Sequence, residues 1–526
     1  MAPKKAVPSL QDLSLEIVSA STLSAILDPS PSNEFNGIER LKTLNILLNS
    51  HILRCHPRFL SQLCVKGLKS IYSQSIGKKP NEFYKYREQI ANHLFSVFSS
   101  VQPLMINTDE WSDDIFHNLV QQYDKLLNVK IFQSTQKYPA DDSRELLRKR
   151  IFSRCSSWSQ LQSFTMLYTC TDKIINIIAL NCPLLQVLDV KFSSNVSDSC
   201  VRCLKKSRFL RKVHLSETHI SSAGLAEFLT ESDSSQLRDF ECLFNGHRYI
   251  LRNALLRMDQ IAQHSSYTQF SKDSVAPFSS ILIESFRCFD LDTQSLILLS
   301  KYFPSISELF LEYQQGMLDF SIIPQMMGSL SKLNLILPSI GNQPFKNAVL
   351  FCGSLITELD VLCGVQSHLN EMMSTVPLLC PNIEILKFKQ IAFFDEDSFF
   401  PPRIEPPFKP FTKLKSLTWI TCSQICYANF ILKHAHDIKK IDVEAERAAE
   451  ILFNDFLLII LETNRLQQLE HLRLMHSHNF TISLGMLEFV VANFERIASI
   501  TCNLSSDDRR AMESFIKENN YDVKLL

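Results

Sequence analysis

Glycine is scarce in this chain, with 11 glycines among 526 residues. No two of them stand as GxG, so the Gly-rich loop that binds dinucleotides is absent, and so is a GxxxxGK(S/T) phosphate loop. An excess of charge of one sign is also missing, because 54 Lys and Arg face 55 Asp and Glu, a net charge of −1. Coating nucleic acid requires a clustered basic surface. The composition therefore disfavours nucleotide enzymes and predicts no nucleic-acid partner.

Long hydrophobic runs are missing as well. The most apolar run in the last third of the chain, residues 451–460, is interrupted by Asn454 and Asp455 and is too short to cross a bilayer. The first residues hold two lysines but no apolar segment of the kind that a secretory signal peptide requires. We therefore expect a cytoplasmic or nuclear protein with no membrane partner, in which the 15 cysteines are reduced thiols.

Sequence motifs of catalysis and metal binding are absent too. The chain has no HExxH, no GxSxG and no EF-hand loop. Cys200 and Cys203 form a lone CxxC pair, whereas a structural zinc site needs four ligands and no second pair lies nearby. The sequence accordingly predicts a protein that is not an enzyme, with no catalytic residues, no metal and no cofactor.

Apolar residues, by contrast, make up 45% of the chain, and Phe alone contributes 37 of them. They recur in one short pattern, apolar-x-x-apolar-x-apolar, as in Leu185, Leu188 and Val190. We find fifteen copies of it, which begin at Val101, Leu126, Leu161, Leu185, Leu210, Leu237, Ile283, Ile306, Leu330, Ile356, Ile383, Leu414, Ile438, Leu469 and Ile497.

The spacing of the copies indicates the type of repeat. Those from Leu161 begin 24, 25 and 27 residues apart, and those from Ile283 begin 23 to 31 residues apart. A period of about 20–29 residues with this pattern is typical of leucine-rich repeats, in which each unit forms a short strand, a turn and a returning helix. One such unit cannot bury its apolar face alone, so neighbouring units must stack.

The chain thus resembles the leucine-rich-repeat family, in particular its cysteine-containing and ribonuclease-inhibitor-like types. The resemblance implies an α/β fold, a curved horseshoe-shaped solenoid of parallel strands with returning helices, and a binding role without chemistry. We assign residues 101–526 to about fifteen irregular repeats and residues 1–100 to a small helical N-terminal region. Two segments, 243–282 and 393–411, interrupt the period as inserted loops, and whether they bind a partner stays open. The first contains a helix-like, basic stretch, residues 247–264.

The N-terminal region opens with the pattern of an amphipathic helix. Ser9 suits the N-cap, and Asp12 follows three residues later as in a capping box. The residues at the spacing of one helix face form an apolar stripe with a small residue in its middle: Leu10, Leu13, Ser14, Ile17 and Val18.

This stripe resembles the elongin-C-binding box of the substrate receptors of cullin-RING ubiquitin ligases. The resemblance implies that Leu10 fills a pocket on elongin C and that Ser14, in the place where Cys is usual, packs beside it with Val18. Such receptors have a cullin box further along the chain. Pro57 and Leu60 match that box and would contact a cullin, whereas the position before Pro57 departs from its apolar consensus. The choice of cullin therefore stays open.

Three other interpretations remain. The helix of residues 9–18 can serve as a cap on the exposed end of the repeat array, which repeat proteins need for solubility. The chain can be an F-box-type leucine-rich-repeat receptor, although its N-terminus lacks a clear Leu-Pro start. It can also be a non-catalytic scaffold with no ubiquitin role. The sequence names neither the substrate nor the oligomeric state.

A binding surface is expected on the concave face, at the variable positions of the strand pattern. These positions mix charges of both signs, which suits a protein partner better than a nucleic acid. The candidate contact residues are Arg211, His214, Lys387, Lys439, Asp442 and Arg473.

Overall fold

The computed structural model describes most of the chain from residue 104 onwards. The described residues fall into two compact units that divide between residues 282 and 283. They are called here the N-terminal unit and the C-terminal unit. The described ranges are 104–107, 126–131, 148–149, 151–153, 155–232, 236–243, 249–268, 282–288, 291–312, 318–337, 343–363, 375–390, 410–421, 425–435, 437–445, 466–476 and 483–525.

Within each unit, parallel strands follow one another in chain order, and each strand pairs with the next strand of the same unit. The N-terminal unit contains β1 (Leu104–Asn107), β2 (Leu126–Ile131), β3 (Ser163–Met166), β4 (Val187–Asp189), β5 (Lys212–His214) and β6 (Asp239–Cys242). The C-terminal unit contains β7 (Ser285–Cys288), β8 (Glu308–Glu312), β9 (Lys332–Leu337), β10 (Glu358–Cys363), β11 (Ile385–Gln390), β12 (Ser416–Thr421), β13 (Lys440–Ala445), β14 (His471–His476), β15 (Ser499–Cys502) and β16 (Lys524–Leu525).

Helices return the chain between strands. Many begin at a polar side chain that accepts a hydrogen bond from the first turn, such as Thr171 from the N–H of Ile174 and Asp292 from the N–H of Ser295. The helices are α1 (Asp172–Asn181), α2 (Val201–Leu204), α3 (Ser222–Glu231), α4 (Ile250–Thr268), α5 (Thr293–Tyr302), α6 (Ile323–Met326), α7 (Gln343–Cys352), α8 (375–379), α9 (Ile425–Lys433), α10 (Leu484–Asn493) and α11 (Ser506–Glu518).

The core lies between the strands and the returning helices. Alternate strand residues point into it, and their register places equivalent residues of successive repeats side by side. One such row in the C-terminal unit is 0–1% exposed throughout and consists of Leu333, Leu359, Leu386, Leu417, Ile441 and Leu472. Each of the fifteen predicted segments holds a strand, β1 to β15. The predicted fold class, an α/β leucine-rich-repeat solenoid of parallel strands with returning helices, is therefore confirmed.

Buried hydroxyl groups link neighbouring repeats in the N-terminal unit. The Ser193 hydroxyl accepts a hydrogen bond from the N–H of Cys170 at 3.2 Å and donates one to the carbonyl of Met166 at 3.3 Å. The Ser216 hydroxyl likewise accepts from the N–H of Leu243 at 2.9 Å. These bonds satisfy backbone groups that would otherwise be buried without a partner where the strands end.

Acidic side chains form a second link between repeats, at the starts of the helices. The Asp172 carboxylate accepts hydrogen bonds from the N–H and the hydroxyl of Ser197, at 2.7 and 2.6 Å. In the next repeat, Asp198 accepts the same two bonds from Ser221, at 2.7 and 2.5 Å. Gly224 packs against Asp198 so closely that an added Cβ would overlap its carboxylate.

We expect Gly224→Ala to lower the free energy of unfolding by about 1–3 kcal/mol, because the methyl group would push Asp198 away from Ser221. Urea denaturation measures the change. Gly485→Ala is the control, since Gly485 lies in α10 with nothing within 4 Å of the added Cβ, and its stability should stay the same or rise slightly. Equal stability of the two variants would contradict the packing described here.

The first predicted insertion contains a helix that belongs to the core. Helix α4 packs against α3, and its inner side buries four residues, Leu251, Ala254, Leu255 and Met258. Its start therefore serves as the returning helix of that repeat. The second insertion, residues 393–411, lies outside the described residues except for its last two, of which Phe411 is buried.

The predicted helical region of residues 1–100 lies wholly outside the described residues, as do the expected adaptor and cullin contacts within it. In the part of the chain that is described, none of the helices combines the length and the hydrophobicity that crossing a bilayer requires.

Candidate functional site

The side of each sheet that faces away from the core presents the second set of alternating strand residues. In β10, for example, Leu359 and Val361 are buried, whereas Glu358, Asp360 and Leu362 are half-buried. We call this side the N-terminal polar face where it is formed by β3–β6 and the C-terminal polar face where it is formed by β7–β15. Since the core must stay covered, these faces are where strand residues can vary without loss of packing.

Charges on the C-terminal polar face neutralise one another from strand to strand. The ammonium group of Lys332 lies 3.0 Å from the carboxylate of Glu308 and 3.4 Å from that of Glu358. Lys387 approaches Glu358 from the other side, at 2.6 Å. Each residue is on the strand next to its partner's, so the pairs form a ladder across β8–β11.

The ladder stabilises the charged form of its members. Burial alone would raise the pKa of Glu308, but the hydrogen bond and charge of Lys332 hold that pKa below its ordinary value. Burial alone would lower the pKa of Lys332, but Glu308 and Glu358 raise it. Because these side chains are 16–30% exposed, each pair contributes modestly to stability, about 1 kcal/mol or less.

Further along the same face, one arginine holds two acids. The guanidinium of Arg473 on β14 donates to Asp442 at 2.5 Å and to Glu444 at 2.9 Å, both on β13. Burial opposes the charge of Arg473, but these two carboxylates raise its pKa. Among the described residues, two acids thus share one base at this point, and one negative charge is left without an ion pair.

Half-buried apolar side chains lie among these charges at the ends of the strands. Ile336 and Leu362 are register partners on β9 and β10. Ile420 and Met475 lie on either side of Glu444 on the neighbouring strands β12 and β14. A face that combines paired charges with partly exposed aliphatic side chains is typical of protein-binding surfaces.

The N-terminal polar face centres on a buried histidine. His214 on β5 is 3% exposed. Its Nδ1 lies 3.5 Å from Asp189 and 3.4 Å from Glu241, and its Nε2 lies 3.4 Å from Asp239. Lys191 lies 3.4 Å from Glu241 and 3.8 Å from Asp189. These five residues are called the His214 cluster.

The His214 cluster favours the imidazolium form. Burial alone would lower the pKa of His214, but the contacts with Asp189 and Asp239 and the charge of Glu241 raise it. In turn, His214 lowers the pKa of Asp189 and, together with Lys212 at 2.7 Å, that of Asp239, although burial acts in the opposite direction on both. The imidazole is enclosed by these groups and is not an accessible contact.

Four of the six predicted contact residues lie within strands on the polar faces. Lys387, Asp442 and Arg473 belong to one row that crosses β11–β14 in register, with Thr418 between the first two. Asp442 and Arg473 are bonded to each other. His214 lies on the N-terminal polar face, where it is buried.

The other two predicted residues lie one position ahead of their strands. Arg211 precedes β5, and its Nε donates to Gln236 at 3.3 Å. Lys439 precedes β13 and lies 3.0 Å from Glu470. Both are exposed at the edge of the face where the strands begin.

Several charged residues of the faces were missed by the sequence analysis. They are Lys332, Glu358, Glu444, Asp189 and Glu241, each directly beside a buried core residue in its own strand and therefore on the opposite face. They could have been identified by applying the alternation of inward and outward strand residues to every repeat and then aligning neighbouring repeats. Which of them pair depends on the register across strands.

The described cysteines serve packing. Burial raises the pKa of the thiols of Cys155, Cys182, Cys352 and Cys380 to about 12, so they are protonated at neutral pH and poor nucleophiles. Within the described ranges, no three His, Cys, Asp or Glu side chains are placed to hold a metal ion.

Comparisons with known proteins add little to this geometry. Neither the family models nor the curated proteins gave a match. Among solved structures, the chain is similar to a chain in the crystal structure of the Rad7 and Elc1 complex in yeast, at 12% identity and a TM-score of 0.37, over 96% of each chain. At this level of similarity, the fold assignment depends on the strand pairing described above.

Proposed function

We propose that this chain is a protein–protein interaction module and acts as the substrate-recognition subunit of a cullin-RING E3 ubiquitin ligase in the cytoplasm or nucleus. It would dock on elongin C through the predicted helix of residues 9–18. The observation behind this proposal is the pattern of Leu10, Ser14 and Val18 ahead of a leucine-rich-repeat array. In this role the chain is not an enzyme, needs no cofactor, and binds elongin C, a cullin and a protein substrate.

The polar faces support the substrate-binding part of the proposal. Their charges pair with one another across strands, as Lys332 does with Glu308 and Glu358, so the strand residues that the structure describes form no continuous basic surface for nucleic acid. Aliphatic side chains such as Leu362 and Ile420 remain partly exposed among them. Both features favour a folded or extended protein segment as the ligand.

Co-expression with elongins B and C tests the docking step. We expect the full chain to co-purify with both elongins and the double variant Leu10→Ala/Ser14→Glu to lose at least about nine-tenths of that recovery, because an apolar anchor is removed and a charge is added to the contact face. The control is Gln11→Ala/Glu16→Ala, on the other side of the predicted helix, which should keep full recovery. Equal recovery with the two double variants would refute elongin docking.

Other outcomes of this experiment favour the competing functions. Recovery of an F-box adaptor without elongins would favour an F-box-type receptor. If no ligase partner is recovered and deletion of residues 1–30 lowers only the melting temperature, the N-terminal helix is a cap and the chain a scaffold. With elongins bound, Pro57→Ala/Leu60→Ala should reduce recovery of the cullin alone.

A further inference from the structure

One lysine on the C-terminal polar face stands apart from the ion-pair ladder. Lys440 at the start of β13 is exposed and makes no ion pair with any residue that the structure describes. Its register partners on the neighbouring strands are Ser416 and His471, which have no negative charge. The lysine therefore presents a cation to solvent, with polar groups on both sides that can accept or donate hydrogen bonds.

The glutamates near Lys440 form their ion pairs with other lysines. Lys439 is paired with Glu470 at 3.0 Å, and Lys415, which precedes β12, is paired with Glu384 at 2.8 Å. Of the charged residues that stand directly before β11–β14 or at their first position, the three lysines Lys415, Lys439 and Lys440 thus face the two glutamates Glu384 and Glu470. Lys440 is the lysine of this set that the two glutamates leave unpaired.

The other end of the same strands has the opposite character. Among the residues that the structure describes, Asp442 and Glu444 share one base, Arg473, which leaves one negative charge in excess. Beside Glu444, Ile420 and Met475 are half-buried and leave aliphatic surface exposed. Lys440 and Glu444 are four residues apart in one strand, so the two ends are separated by about 13 Å at a rise of about 3.3 Å per residue.

We infer that the polar face of β12–β14 binds an extended acidic segment of a partner protein, with a carboxylate on Lys440 and an aliphatic side chain between Ile420 and Met475. An extended peptide has the same rise as a strand, so the acidic and aliphatic residues should be four positions apart. The excess negative charge near Glu444 disfavours the reverse orientation. The inference rests on the proposed function, in which this face takes the substrate.

A selection from random peptides tests the inference directly. A phage library of random 12-residue peptides is panned on the full-length protein and, in parallel, on Lys440→Glu. We expect peptides enriched on the wild type to contain Asp or Glu four positions from Leu, Ile or Val, and these peptides to be absent from the Lys440→Glu pool. Enrichment of peptides without an acidic residue, or the same peptides in both pools, would overturn the inference.

The best peptide is then labelled with fluorescein and its binding measured by fluorescence anisotropy. We expect Lys440→Glu to weaken binding at least tenfold and Ile420→Ser at least threefold. Lys517→Glu, which changes an exposed lysine of α11, is the control and should bind like the wild type. An equal loss in Lys440→Glu and Lys517→Glu would show a non-specific charge effect and reject the site.

Further measurements distinguish the acidic peptide from two other possible ligands of this face. They also test the inference separately from the proposed function. A fluorescein-labelled 20-nucleotide single strand that binds more tightly than the peptide, with the same loss in Lys440→Glu, would replace the inference with nucleic-acid binding. Self-association in sedimentation velocity that Lys440→Glu abolishes would assign the face to a second copy of the chain. Recovery of elongins is independent of peptide binding, so either proposal can fail alone.

Discussion

Replacing Trp419 with Ala is expected to lower the free energy of unfolding of the C-terminal unit by about 4 kcal/mol. The indole is completely buried in β12 and stacks on Phe388 of β11 with 4.5 Å between ring centroids. Its register partner on the other side is Val443. Alanine would leave a large cavity between three strands and would also remove an aromatic pair worth about 1 kcal/mol.

Urea denaturation of Trp419→Ala and the wild type measures this loss. Hydrogen exchange then locates it, since damage in a repeat array spreads mainly to neighbouring repeats. We expect faster exchange in β11–β13 and little change in β4–β6. Trp419→Phe, which keeps an aromatic ring, should cost less than half as much, and Lys415→Ala on the exposed surface should change stability by about 0.5 kcal/mol at most. A similar loss in Lys415→Ala would contradict the assignment of Trp419 to the core.

The second large effect is expected at His214. His214→Leu should lower the free energy of unfolding by about 3 kcal/mol at pH 6, because it removes a buried cation and leaves Asp189, Asp239 and Glu241 close together. Leucine fills a similar volume, so the loss would come from charge rather than from a cavity. Lys191 and Lys212 remain near these carboxylates and limit the loss.

The same residue should make stability depend on pH. Folding raises the pKa of His214, so the folded protein holds its proton more tightly than the unfolded chain does. This contribution is complete below the unfolded pKa of about 6.5 and is lost as pH rises through the higher folded pKa. Asp189 and Asp239 have lowered pKa values, so their contribution is present above about pH 4 and is lost in acid.

Denaturation of the wild type and His214→Leu from pH 5.5 to 9 measures this dependence. The difference between the two proteins should be largest at the acid end and shrink towards pH 9. His264→Gln is the control, since His264 is exposed on α4, and it should follow the wild type at every pH. A difference that stays constant across this range would show that His214 acts through packing alone.

Much of the fold was predictable because the repeat pattern encodes it redundantly. In Leu185-x-x-Leu188-x-Val190, Leu188 and Val190 are 0% exposed and Leu185 is 1% exposed, and the same three positions are buried in the repeats that begin at Leu210, Ile306 and Ile356. The period and the strand positions follow from this repetition. The first insertion was predicted in part. Its helix-like stretch forms α4, but the sequence did not show that the inner side of this helix, nearly twice as long as α1, is buried in the core as a returning helix.

The candidate site was predictable only in part. Lys387, Asp442 and Arg473 were identified from their strand positions, and the structure places them in one row. The sequence could not show that His214 is buried, because its exposure depends on Lys191, Asp239 and Glu241 from other repeats. It could not single out Lys440 from Lys439 either, since only the neighbouring strand reveals that Glu470 pairs with one and not with the other.

By itself, then, the sequence determined that this protein is a stack of leucine-rich repeats, since local spacing decides which residues each repeat must bury. The spacing of its few glycines also excluded the glycine-rich loops of nucleotide enzymes. The tertiary structure alone decided which charges cancel and which remain. That outcome depends on the register between strands some 25 to 30 residues apart, because charges interact through space over a few ångströms whatever their separation along the chain.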